Sequence, residues 1–163
     1  MTTSLEGKAL VLGDDVNTDE LHPSRFFSLD DRTVRSGFLG AVEGSARSEE
    51  MTGRIIVAGR NFGIGSSRET GARVFLLSGI RAVVAVSFAR IFFRNVSNLG
   101  LPAFVCPTLP SGSQDGGPVR VELEAGVVVI DGREYPFERP DPYWQAVAKS
   151  GGLAPYLGLA PKP

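Results

Sequence analysis

The chain has 163 residues, 42% apolar and 21% charged, with a formal net charge of −1, proportions that suit a soluble globular protein able to bury a core. The near-neutral balance and the lack of a basic patch exclude a general electrostatic grip on nucleic acid or an anionic membrane, and no apolar run approaches the ~20 residues of a membrane span. A single cysteine, Cys106, excludes an internal disulfide and is too few for a cluster site; with no basic segment leading into a long apolar one at the N-terminus, a cytoplasmic location is expected.

Residues 8–12 read as a strand. The stretch GDDVNTDELHPSRFF follows, dense in Asp and Asn and carrying Pro23, and reads as a loop. Residues 30–50 carry a partly helical pattern. Residues 54–59, RIIVAG, are rich in β-branched side chains and predict a buried strand. A helix is expected over residues 68–78, closing on Gly79, with Gly71 inside it allowing close packing. Residues 80–86 predict another buried strand. This strand–loop–helix–strand order favours parallel strands joined by a right-handed crossover.

Residues 87–100 predict a second helix ending at a glycine, and residues 101–106 a further strand. The stretch PTLPSGSQDGGP, residues 107–118, reads as an exposed loop. Beyond it VRVELEAGVVVIDGREYPF alternates apolar and polar residues, with turns at residues 124–126 and 131–132, and predicts a β-meander. A last helix is expected with Asp141 as its N-cap, Pro142 in its first position and Gly151 past its end. The fold class is α/β, one domain over residues 1–163, with a parallel core and an antiparallel part.

The loop GRNFGIGSSRE, residues 59–69, holds more than a turn needs. Turn chemistry accounts for its glycines but not for Ser66, Ser67 and Arg68. Where a strand gives way to a helix, the first backbone N–H groups are free and the helix dipole is positive. Gly63 and Gly65 let the backbone come close to a bound group. Two hydroxyls and a guanidinium then complete a site for an anion, with Arg68 suited to grip a carboxylate or phosphate bidentately. The plainer alternative is that Ser66 or Ser67 caps the helix, with Glu69 completing the cap. Nucleotide binding does not fit: no Lys precedes the serines as a phosphate loop requires, and Arg68 stands where a dinucleotide fingerprint needs its third glycine.

Taken together, GDDVNTDELHPSRFF, GRNFGIGSSRE, SFARIFFRNVSNLGLP and SGGLAPYLG, in that order along nearly the whole chain, resemble the small subunits of isopropylmalate isomerases, the swivel-domain part of the aconitase family. The most specific pieces are Asn17-Thr18-Asp19 and Gly65-Ser66-Ser67-Arg68-Glu69. The resemblance implies a three-layer β/β/α swivelling domain and a heteromeric hydro-lyase, active only with a large subunit. Such an enzyme removes water from a small 2-hydroxy dicarboxylate and adds it back at the neighbouring carbon. The resemblance also implies a 4Fe–4S cluster held by the large subunit and no cofactor or metal in this chain.

By the same resemblance Ser66 is the general base, acting as an alkoxide, and Ser67 and Arg68 bind a substrate carboxylate. Asp19 lies near the active site and orients its neighbours; alternatively it caps a turn. Arg25, Phe26 and Phe27 follow Pro23 in the loop that faces the variable substituent. Phe26, Phe27 and Leu29 favour an alkyl branch such as isopropyl, hence 2-isopropylmalate and leucine biosynthesis, whereas Arg25 is able to reach a carboxylate and the phenylalanines are equally suited to a core. Homoaconitate, dimethylmalate, citraconate and methylmalate are alternative substrates, and a non-catalytic anion-binding domain is a third reading. The chain departs from the family pattern at Ile64, at Thr70-Gly71-Ala72 and at His22. The last, its only histidine, reads as a hydrogen-bonded loop residue, and Cys106 as a small buried one.

Overall fold

Alternation along the central strands sorts the apolar side chains onto two faces. In the computed structural model, which describes residues 4–40 and 48–160, β1 (Ser4–Val11), β2 (Ile55–Ala58), β3 (Ala82–Ala85) and β4 (Ala103–Val105) run parallel to one another. Leu10, Ile56, Ala58, Val83 and Ala85 face one side, against Ala72, Val74 and Phe75 of α3 (Thr70–Leu77) and Phe92 and Val96 of α4 (Arg90–Asn98). Ala9, Ile55, Val57, Ala82 and Val84 face the other. There they meet Val119, Val121, Val128 and Ile130 of β5 (Pro118–Glu122) and β6 (Val127–Ile130).

With β7 (Arg133–Pro136) the strands form one sheet of order β4-β3-β2-β1-β5-β6-β7. The sheet curls so that its antiparallel half packs over its parallel half, while helices cover the opposite face. The expected β/β/α layering and parallel core are therefore present. Strand β1 joins the halves: Ser4–Lys8 pairs with β5 antiparallel and Ala9–Val11 with β2 parallel. It starts earlier than its own residues suggest because β5, far along the chain, completes its ladder. The β6–β7 turn is Asp131-Gly132 with both φ angles positive, at 51° and 75°, the backbone that a two-residue hairpin turn requires.

Two helices differ from expectation at their starts. Helix α3 begins at Thr70 rather than Arg68, and α4 at Arg90 rather than Ser87. Residues 30–50 yield α2 (Asp31–Ser36), capped by Asp30 through its bond from the Thr33 N–H, and a short 3-10 turn at Ser48–Met51; the part of that stretch at 41–47 lies outside the described residues. Helix α5 (Pro142–Lys149) starts as expected, with the Asp141 carboxylate accepting from Tyr143 N–H at 2.8 Å. Another turn of helix, Leu153–Tyr156, follows it.

Candidate active site

Two loops leave the C-terminal ends of β1 and β2 side by side and are stitched together by hydrogen bonds. Asp15 N–H donates to the Arg60 carbonyl (2.8 Å), Gly63 N–H to the Val16 carbonyl (3.0 Å) and Thr18 N–H to the Ile64 carbonyl (2.7 Å). Side chains continue the seam: the Asp14 carboxylate accepts from Arg60 N–H at 2.7 Å, and the Asn61 amide donates to Asp15 at 2.8 Å. This approach is what the glycines permit. At Gly65 the φ is +108° and a Cβ would lie 2.5 Å from Asn17 Oδ1; at Gly63 it would lie 2.2 Å from the Phe92 ring. Only glycine tolerates both the backbone and the contact.

The seam carries the first loop's acidic run to the serines. Asn17 caps the short helix α1 (Thr18–Leu21), accepting from Asp19 N–H at 2.8 Å, and Glu20 Oε2 accepts from Asn17 N–H at 2.9 Å, completing a capping box. Asn17 and Glu20 therefore do the capping, and the exposed Asp19 carboxylate is left out of it. Buried Thr18 turns its hydroxyl to the second loop, where Oγ1 accepts from Ser66 N–H at 2.9 Å.

Ser66 does not cap α3. The helix starts four residues later, and its N-cap residue Glu69 makes no side-chain cap bond. Instead Ser66 Oγ accepts from Arg68 N–H at 3.3 Å, within the loop. The anion-binding reading thus rests on loop groups and not on the first turn of α3. Ser67 is exposed, with its carbonyl held by the Asn95 amide of α4 at 3.1 Å. Arg68 does not turn to Glu69: its guanidinium carbon lies 4.5 Å from the centre of the Phe27 ring, a cation–π contact.

The result is a narrow crevice lined by Thr18, Asp19, His22, Phe27, Ser66, Arg68 and Gly71. It brings together Asp19, Ser66, Arg68 and Phe27 from the expected set. It does not include Ser67, Arg25 or Phe26. Arg25 donates to the Gly40 carbonyl at 2.7 Å and lies over the Phe26 ring, and Phe26 packs on Gly37, where a Cβ would be 2.4 Å from it. The two residues face the turn after α2, because the 3-10 turn Ser24–Phe26 rotates neighbouring side chains to different sides.

His22 and Thr18 line the crevice without having been singled out for the site from sequence. The only signals were a lone histidine and a threonine beside Asp19. The His22 ring donates from Nε2 to the Val34 carbonyl at 2.9 Å, since a carbonyl only accepts. Burial holds its pKa below the ordinary value, against the opposing pull of that bond. The residues present do not suit an iron–sulfur cluster, which takes several thiolates. Cys106 is buried on the other face of the sheet, its thiol 3.3 Å from the Pro136 carbonyl and its pKa raised by burial. Among the described residues no three His, Cys, Asp or Glu side chains gather as a metal site.

Residues 29–106 match the aconitase C-terminal domain family. A 3-isopropylmalate dehydratase small subunit of Thermodesulfovibrio yellowstonii is 38% identical over 152 residues, spanning 91% of this chain and 90% of the relative. One of Moorella thermoacetica is 36% identical over 156 residues, 94% of each chain. The crystal structure of a 3-isopropylmalate dehydratase from Methanocaldococcus jannaschii superposes with a TM-score of 0.87 at 34% identity, covering 95% of this chain and 93% of that one. The chain therefore belongs to the 3-isopropylmalate dehydratase small subunits, a hydro-lyase family built on the aconitase C-terminal domain.

Proposed function

We propose that this chain joins a cluster-bearing large subunit to convert 2-isopropylmalate to 3-isopropylmalate by loss and return of water, a step of leucine biosynthesis. In this reading it supplies the base and the carboxylate contacts. The observation that carries the reading is the convergence of Ser66, Asp19 and Arg68, from loops far apart in the chain, on one crevice.

Ser66 Oγ takes the proton from the carbon beside a carboxylate. As the alkoxide it is stabilised by the Arg68 N–H already directed at it, a donor fixed in place before charge develops. The neighbouring C–O bond breaks, hydroxide leaves with the equivalent of that proton as water, and a carbon–carbon double bond forms. Return of water in the opposite sense gives the isomer. The partner's cluster, when bound, supplies the Lewis acid that polarises the departing hydroxyl. In this reading Arg68, its guanidinium carbon 4.5 Å from the centre of the Phe27 ring, grips a substrate carboxylate through its N–H groups, and Ser67 adds a hydroxyl to that grip. Asp19 orients neighbouring donors, and the Phe27 ring supplies apolar surface for the alkyl branch. Arg25 and Phe26 reach the substrate only if the turn after Pro23 rearranges on assembly.

Exposed apolar side chains suit a partner. Leu29, two residues after Phe27, is 96% exposed, and Ile91, one helical turn before the Asn95 that holds the Ser67 carbonyl, is 54% exposed. Large apolar side chains so exposed gain from being covered. A cytoplasmic location belongs to the same reading; among the described residues no helix is long and apolar enough to cross a membrane.

The test is reconstitution with an anaerobically prepared large subunit, following the ultraviolet absorbance of the unsaturated intermediate. Turnover of isopropylmalate that disappears with Ser66→Ala supports both reaction and base. No turnover, with the partner bound and its cluster intact, removes isopropylmalate as substrate and passes the question to dimethylmalate, citraconate, methylmalate and homoaconitate.

A further inference from the structure

We propose that His22 is a positioning residue for substrate selection: it fixes the ring of Phe27 against Arg68, so that an apolar contact for the substrate's branch stands at a set place beside the carboxylate grip. The inference rests on the proposed function and names the residue behind its selectivity.

His22 is 1% exposed and is held from one side. Nε2 donates to the Val34 carbonyl of α2, and the adjacent Cδ2 packs on Gly37, where a Cβ would lie 2.8 Å away. The hydrogen bond fixes the rotation of the imidazole as well as its position. The ring then stacks on Phe27, with centroids 5.5 Å apart and planes 28° apart. Phe27 in turn carries the Arg68 guanidinium at 4.5 Å. A line of contacts thus runs from α2 through His22 and Phe27 to Arg68.

The segment around Phe27 needs such an anchor. Ser24, Arg25 and Leu29 are exposed, and the Phe27 backbone N–H makes only a local bond, to the Ser24 carbonyl at 3.0 Å. An aliphatic side chain at position 22 would fill the same space without setting the plane against which Phe27 stacks. With Nε2 carrying the hydrogen, the neutral ring keeps its lone pair on Nδ1, which has no hydrogen-bond partner among the described residues. A buried ring that leaves Nδ1 unused and, when neutral, adds no like charge near Arg68 suits a role set by its orientation.

The experiment compares wild type with His22→Leu, His22→Gln and Phe27→Leu in the reconstituted complex, using isopropylmalate and methylmalate. For His22→Leu the expected result is a KM for isopropylmalate raised about tenfold, the scale of a misplaced apolar contact. Its kcat stays within about twofold, and the KM for methylmalate, whose short branch barely reaches the ring, is little changed. His22→Gln, whose amide can still donate to the Val34 carbonyl, recovers part of the preference. Equal losses on both substrates, or a fall in kcat at constant KM, would overturn the proposal.

A second readout needs neither partner nor turnover. His22 is the only histidine, so one set of imidazole proton signals reports its ring in the isolated chain. Phe27→Leu is expected to move those signals by removing the neighbouring ring current, and His22→Leu to move the Phe27 ring and Arg68 Nε signals. Unmoved signals would overturn the proposal even if isopropylmalate is the substrate. Moved signals with no turnover of either acid would instead point to failure of the functional reading.

Discussion

The two ends of β2 open onto two different concavities. Near its N-terminal end lies an open groove of about 810 Å³, lined by Lys8, Thr52, Arg54, Arg120 and Asp131 among others; beyond its C-terminal end the Ser66 crevice is too narrow to hold a water molecule. In the groove the arginines are already engaged. Arg54 donates to the carbonyls of Ala9 and Glu50 and lies 3.8 Å from Asp115, and Arg120 pairs with Glu122 at 2.7 Å. In the crevice a hydroxyl, a carboxylate and a guanidinium converge from separate loops at the C-terminal ends of parallel strands, where α/β sheets gather ligand groups. The proposed chemistry follows the convergence of polar groups and not the available volume.

The strongest way to break that contrast is Ser66→Ala. Removal of a general base is expected to lower turnover of the reconstituted complex by about 10²–10⁴-fold. Stability of the chain should change by no more than about 0.5 kcal/mol, as for a partly exposed side chain outside the core, because Ser66 Oγ accepts only one long bond in the loop. A normal rate in the ultraviolet assay would remove Ser66 as the base. Next comes Arg68→Lys, which keeps the charge but loses the fork. The loss of a charge-assisted bond predicts a fall in kcat/KM of about 10- to 100-fold. Unchanged kinetics would mean that the substrate carboxylate is held elsewhere.

The seam between the loops can be attacked directly. Gly65→Ala meets both a left-handed backbone and Asn17 Oδ1, and should cost about 1–3 kcal/mol in urea unfolding. Gly13→Ala, where a Cβ meets nothing within 4 Å, is the comparison and should stay within about 1 kcal/mol of wild type. Equal costs at the two positions would show that the seam is not what constrains the loop.

The residues at the seam also mark how far sequence reasoning reached. Ser66, Ser67 and Arg68 stood out because a turn does not need them, and Asp19 because of the run around it. Their meeting was not legible, since it depends on bonds such as Thr18 N–H to the Ile64 carbonyl, between residues distant in the chain. The parallel core was readable from short β-branched runs, whereas the full length of β1 was not, because β5 completes it. Arg25, Phe26 and Phe27 are adjacent and looked alike. The 3-10 turn separates them, placing Phe27 in the crevice wall and Phe26 under the end of α2. His22 does form the loop hydrogen bond expected of it, but its place in the crevice wall required the fold.

His22 also gives the crevice a pH signature. Its pKa is held below the ordinary 6.5 by burial, so between the two values the unfolded chain binds more protons than the folded one. Stability therefore rises with pH across that window. It is fully present above about 6.5 and is lost as pH falls toward the lowered folded value. Urea unfolding between pH 7 and 5 should show this slope, and His22→Leu should flatten it. A slope that survives the substitution would assign it to other groups.

The smallest expected effect belongs to the groove. Arg120→Ala removes an ion pair whose arginine is about half exposed, the kind that contributes no more than about 1 kcal/mol. It lies at the far end of β2 from Ser66, on a strand of the antiparallel half that sends no loop to the crevice. Turnover and KM of the reconstituted complex should match wild type, and so should those of Lys8→Ala. A loss of turnover with the large subunit still bound would mean that the groove acts on the reaction from a distance. A loss of binding instead would make the groove part of the partner's footprint. Either result would end the separation of the two concavities, since the same strand would then join a working site at one end to a working surface at the other.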